Sequence, residues 1–257
     1  MKSLALAGAA ALSISAPASA EYLYGFGSAS VNYLDWSNKA EDLSNGFKED
    51  FLFLELEGGA GFSWGEMYGF IDLENPGSIG NGDKDGKPDG FRLAAKGTIG
   101  LNTGVNNLQV YGQLYTLNES GSQGNTFQVQ NYVGGLRYNV FTESGFWFKP
   151  FLGAHIESNN FAGTGYNGLM AGWVLGYDFN VGNQKLSVSN WHETEFLRED
   201  QFRQGGALDS VGHNGAVALW WHLPAKFTLG LQYRYYDHKL GDAGYGDALI
   251  YTVKYNF

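Results

Sequence analysis

The closing residues set the pattern of the chain. Leu249, Tyr251, Val253, Tyr255 and Phe257 are apolar or aromatic, and Ile250, Thr252, Lys254 and Asn256 alternate with them. A period of two marks a strand with one apolar face, because successive side chains point to opposite sides. The preceding segment repeats it. Phe227, Leu229, Leu231, Tyr233 and Tyr235 share one face, against Thr228, Gly230, Gln232, Arg234 and Tyr236 on the other. Val217, Leu219, Trp221 and Leu223 likewise oppose Ala216, Ala218, Trp220 and His222. Leu169 to Val181 alternates against Gly172, Gly176, Asp178 and Asn180.

Extended to the whole chain, this alternation predicts strands over 23–35, 48–59, 64–74, 91–102, 107–118, 127–141, 146–158, 168–181, 184–197, 212–223, 226–237 and 247–257. Strands in globular domains run to about 5 to 6 residues, whereas a tilted membrane strand needs about 9 to 11. Most of these segments reach membrane length. The connections alternate too. Long ones are expected at Trp36–Phe47, Asn75–Gly90, Asn118–Thr126, Asn159–Asn167, Arg198–Gly212 and His238–Gly246. Short ones fall at Gly59–Ser63, Thr103–Asn106, Thr142–Gly145, Gly182–Asn183 and Pro224–Ala225. Short periplasmic turns and long outer loops belong to bacterial membrane barrels. The expected fold is therefore all-β: a transmembrane antiparallel up-and-down β-barrel of about 12 strands spanning 21–257.

Composition supports that class. Aromatics make up 16% of the 257 residues and charged residues only 16%, where a soluble domain carries about 25% charged. The mean hydropathy of -0.25 is too low for a bundle of apolar spanning helices. There is no Cys, which rules out disulfides and thiolate metal sites. The net charge of -10 argues against nucleic acid as a partner. Residues 1–20 read as a signal peptide, with Lys2, an apolar run from Leu4 to Ala16, and an A-x-A site at Ala18-Ser19-Ala20.

With Phe257 facing lipid, parity turns a definite set of side chains inward. These include Lys254, Arg234, Gln232, Tyr236, Trp220, His222, Asp178, Arg137, Gln109, Tyr111, Gln113, Tyr115, Arg92, Lys96, Glu55 and Glu57. Such a lining mixes both charge signs with aromatic rings. Aromatic rings stack on flat bases, and Arg, Gln and Glu bond hydroxyls and base edges. Arg234, Tyr236, Trp220, Arg137, Tyr111, Tyr115, Glu55 and Glu57 are the candidate solute-binding residues of the lumen. The lining alone suits any small polar solute. Inward Arg–Glu pairs also simply brace a barrel.

Three stretches resemble the nucleoside-specific channel-forming outer-membrane proteins, the Tsx-like family. They are Ser30-Val-Asn-Tyr-Leu-Asp-Trp36, Phe51 to Glu57 followed by Met67-Tyr-Gly-Phe-Ile-Asp72, and Trp220 to Tyr236 with the closing strand to Phe257. The resemblance implies a twelve-stranded monomeric barrel of the bacterial outer membrane. Its pore would be narrow and passive for nucleosides, and some relatives also act as bacteriophage receptors. The loop Gly80–Gly90 departs from the family pattern.

That loop has its own candidate chemistry. Asn81, Asp83, Asp85 and Asp89 alternate with other residues around Gly86, like the first half of a calcium loop. The twelfth-position Glu of that motif is absent, since residue 92 is Arg, and a polar turn would look the same. Catalysis has little support. There is no G-x-S-x-G elbow and no H-x-x-x-H pair. His192 lies beside Glu193, but on a strand the two face opposite sides. The rivals to a passive channel are a lipid-modifying outer-membrane enzyme and a closed adhesion or receptor barrel with no open pore.

Overall fold

The computed structural model describes residues 20–78, 90–119 and 127–257. The strands are β1 Tyr22–Trp36, β2 Phe51–Phe62, β3 Gly65–Glu74, β4 Arg92–Asn102, β5 Leu108–Glu119, β6 Gln128–Tyr138, β7 Val140–Phe141, β8 Phe146–Asn159, β9 Gly163–Val181, β10 Gln184–Phe196, β11 Gly212–His222, β12 Phe227–Asp237 and β13 Tyr245–Asn256. Each pairs antiparallel with its neighbour in sequence, except that β6 and β7 do not pair with each other. β1 closes on β13, and β8 pairs with both β6 and β7, so the sheet is a closed barrel without an edge.

β6 and β7 are one stave interrupted at Asn139. Their register on β8 is continuous, from Arg137↔Phe151 to Val140↔Phe148. Pro150, which has no N–H to give, lies beside the interruption. The Asn139 N–H bonds instead to the Asn107 carbonyl at 2.9 Å. The barrel therefore has twelve staves, as the alternation predicted.

The outer wall is apolar. Val217, Leu219, Trp221, Leu231, Tyr251, Val253 and Phe257 are all exposed, while Ala216, Ala218, Ile250 and Thr252 are buried on the inner side. An exposed apolar belt with a polar interior is the arrangement lipid demands. Phe257 anchors the closing strand, with its N–H bonded to the Gly27 carbonyl at 3.0 Å.

Two expectations are corrected. The second strand begins at Phe51 rather than residue 48, because Ser44 and Asp50 cap and tether the preceding segment. The Lys48 N–H bonds to Ser44 Oγ, and Asp50 accepts from the Trp36 N–H. The connection expected over Asn159–Asn167 is not a loop. The ladder of β8 and β9 continues to Asn159↔Gly163, leaving only 160–162 as a turn. A bulge between Ala154 and Ile156 lies within this extended ladder. There Gly168 has φ +75, and a Cβ would meet the Phe196 and Leu197 carbonyl oxygens.

Candidate functional site

The lumen is the concave surface of the fold, and its two sides differ. On one side, Leu34, Trp36, Phe51, Phe53, Tyr236, Ala248 and Ile250 turn inward from β1, β2, β12 and β13 and form an apolar cluster. A short helix, α1 Asn38–Leu43, seats the fully buried Ala40 on that cluster. Ser37 caps α1 through its Oγ and also donates to Asp247 at 2.7 Å. The outer mouth is thus narrowed by apolar packing along this wall.

The other side is charged. Lys96 on β4 reaches Glu193 on β10 at 2.5 Å, five staves away around a twelve-stave ring. Gln113 on β5 donates to the same Glu193 oxygen at 2.9 Å. Side chains from nearly opposite walls therefore meet across the lumen. Toward the outer end, Glu195 takes Arg198 at 2.7 Å and Lys239 at 2.8 Å. Toward the periplasmic end, Glu66 takes Arg137 and Lys149, each at 2.7 Å, and the Tyr24 hydroxyl at 2.6 Å. The carboxylates are matched by cations, as burial of charge requires.

All eight candidate solute-binding residues lie on the inward parity, but their surroundings differ. Tyr236 is 0% exposed. Its ring meets Trp36 edge-on and its hydroxyl donates to Asp242. That corrects the expectation of a free stacking face. Tyr111 and Arg137 are also buried. The Arg137 guanidinium lies 5.1 Å from the Tyr111 ring centre and donates to Gln109. The other five keep partly open surface. Glu57 bonds Lys254 at 2.8 Å and Tyr68 at 2.8 Å. Glu55 accepts from Ser30 at 3.4 Å and lies opposite Asp72. Trp220 donates to Ser189, with Lys254 4.6 Å above its ring. Tyr115 sits opposite Lys96. Arg234 approaches the Trp191 ring at 6.0 Å, and its Nε is buried with no hydrogen-bond partner among the described residues.

Trp191, Glu193, Glu66 and Lys149 escaped selection from the sequence. For Trp191 and Glu193 the signal was parity: Ser187, Ser189, Trp191, Glu193 and Glu195 all alternate onto the inner face of β10. His192 and Glu193 face opposite sides, as expected, and it is His192 that faces outward. It bonds Tyr235 and Thr194 on the lipid side, apart from Glu193. The calcium candidates Asn81, Asp83, Asp85 and Asp89 lie outside the described residues, as does the leader over 1–19.

The sequence matches the family model of the nucleoside-specific channel-forming protein Tsx over residues 31–257. Among solved structures, the chain is similar to the outer-membrane channel DcaP of Acinetobacter baumannii. That likeness has 13% identity, a TM-score of 0.39, and covers 94% of this chain and 99% of that one. It is also similar to OmpF of Salmonella typhi in complex with daunomycin, at 9% identity and a TM-score of 0.38, covering 92% and 100%. OccK8 of Pseudomonas aeruginosa stands at 9% and 0.33, covering 91% and 98%. Likenesses this distant say nothing about the solute.

Proposed function

The chain belongs to the nucleoside-specific channel-forming Tsx family, and from that premise we propose that its solutes are nucleosides, moving passively through the lumen. It is a channel-forming protein of the bacterial outer membrane and not an enzyme. The family match carries the nucleoside reading. The lining supports it, because rings and hydrogen-bonding groups stand together, as where Trp220 lies beside Lys254 and Glu57. A neutral solute can exchange partners with such groups and still leave, which a passive channel requires.

The proposed contacts are Arg234, Trp220, Tyr115, Glu55 and Glu57, with Trp191 added. Tyr236, Tyr111 and Arg137 are assigned to the wall that holds them. Because side chains meet across the lumen at Lys96–Glu193, passage requires those side chains to swing aside. Liposomes carrying the protein test the reading. Uridine and adenosine should enter faster than a disaccharide of similar mass. Equal rates for all three would reduce the protein to a general pore.

Two finer roles belong here as well. Phage docking would fall to the outer loops, and adsorption to cells lacking 38–46 tests it. Calcium at Asn81, Asp83, Asp85 and Asp89 is proposed from spacing alone.

A further inference from the structure

The periplasmic end of the lumen holds a cavity of about 290 Å³. That lies just under the lower end of ligand-pocket volumes, about 300 Å³, so it suits a single small ring rather than a larger ligand. Its lining is unlike the rest of the lumen. Asn102, Asn106, Asn107, Gln109 and Asn139 supply five amides, and Tyr24 and Phe141 supply rings. The one carboxylate, Glu66, is already occupied by Arg137, Lys149 and Tyr24. Lys149 is further held over the Phe141 and Trp147 rings, at 5.5 and 5.7 Å. Charge at this site is therefore spent within the wall, and the groups left for a ligand are neutral.

One of them is unsatisfied. Asn139 is 6% exposed, and its Oδ1 is buried with no hydrogen-bond donor among the described residues. A buried acceptor without a partner is costly unless something else supplies the donor. The backbone cannot, since the Asn139 stave is broken here and its N–H is used by Asn107. Gln109 does not supply it either: its amide is aimed at Asn102 and its oxygen accepts from Arg137.

We propose that this vestibule is a binding station for a neutral polar ring that donates a hydrogen bond to Asn139, such as a pyrimidine base or a sugar. It rests on the channel reading only for the route by which the ligand arrives. Base and sugar share the needed chemistry, a neutral ring with N–H or O–H donors and a face for Tyr24 or Phe141.

The chain has no Cys, so Val105→Cys, at a lining residue 63% exposed, gives a single labelling point in the vestibule. An environment-sensitive dye there should respond to uridine with a saturable change. The same dye at Leu240→Cys, at the outer end, serves as the comparison. Asn139→Leu should weaken the vestibule response about fivefold or more, the size expected for one lost hydrogen bond, and leave the outer response unchanged. Asn106→Leu, on an exposed turn, should weaken it in the same direction and covers the case where Asn139→Leu fails to assemble. A loss with 3-methyluridine would assign the donor to the base; a response to ribose alone would assign it to the sugar. Tighter binding of uridine 5′-monophosphate than of uridine would overturn the neutral class. A silent Val105 reporter in a protein that still admits uridine to liposomes would sink the station and leave the channel standing.

Discussion

The two walls of the lumen close it by different physics. The wall of β1, β2, β12 and β13 is sealed by Trp36, Phe51, Phe53, Tyr236 and Ala40, whose attraction is the removal of apolar surface from water. The wall from β3 to β10 meets across the gap through Lys96, Glu193 and Gln113. An apolar seal is non-directional and barely notices ionic strength. An ion-paired bridge is directional, and its charges can find substitutes in a passing solute or in salt. The first wall is thus built to stay, and the second can open.

Breaking the apolar wall should have the largest effect. Trp36 is 9% exposed and carries both α1 and Tyr236. Trp36→Ala should cost about 3–5 kcal/mol, as large core truncations do. The loss would be read as a lower denaturant midpoint in folded micelles. Conductance in planar bilayers should rise with it, since α1 loses its seat. A variant as stable as the parent, with the same conductance, would show that this cluster does not narrow the mouth.

The bridge should respond differently. Lys96→Met leaves Glu193 without its nearest cation, though Gln113 and the more distant Lys239 at 3.9 Å remain. Removing one partner of a fully buried pair costs about 3–5 kcal/mol. Here the side chains are 18% and 11% exposed, so about 1–3 kcal/mol is expected after discounting for solvent screening. Its clearer mark is selectivity, because the freed carboxylate should favour cations. The reversal potential in a salt gradient should shift toward the cation, and Lys96→Met with Glu193→Gln should restore it. No shift in the single variant would mean that the conducting path avoids this bridge.

What the sequence made legible follows from the same contrast. Alternation fixed which face every strand residue takes, because lipid outside and water inside leave no third choice. Arg234, Trp220 and Glu57 were therefore placed correctly on the inner side. Parity carries no information on what stands opposite. It could not tell that Tyr236 is spent on Trp36, or that Lys96 finds Glu193 five staves away. Alternation also missed the strand over 163–167, because the ladder of β8 and β9 runs on past a bulge between Ala154 and Ile156 that breaks the period of two. The Asn139 vestibule was illegible for a third reason: it depends on a stave broken beside Pro150 and on the turn 103–107, which no periodic pattern brings together.

The acidic motif offers a smaller test. If Asn81, Asp83, Asp85 and Asp89 hold calcium, added calcium should raise the melting temperature, and Asp83→Asn with Asp85→Asn should abolish the rise. The size depends on calcium concentration relative to its dissociation constant, and a parent that ignores calcium ends the idea.

The smallest effect is expected where the two physics meet, at Lys48. It lies in the segment between β1 and β2, bonded to Asp242 at 2.8 Å and 4.9 Å from the Tyr236 ring centre, at the rim of the apolar wall. Burial pushes the ammonium below its ordinary value of 10.5, and the Asp242 carboxylate recovers only part of that. The folded chain therefore releases this proton at lower pH than the unfolded chain does. Between the depressed value and 10.5 the unfolded state binds more protons, so stability rises with pH across that window. Below it, both states are charged and the penalty is constant. The midpoint of urea unfolding, followed upward from pH 8 in micelles, should show a small gain in the parent. Lys48→Met should lack the gain, because its side chain has no proton to release. Parallel pH profiles for the two would place the Lys48 ammonium in solvent rather than against Tyr236, and would move the boundary between the two walls outward.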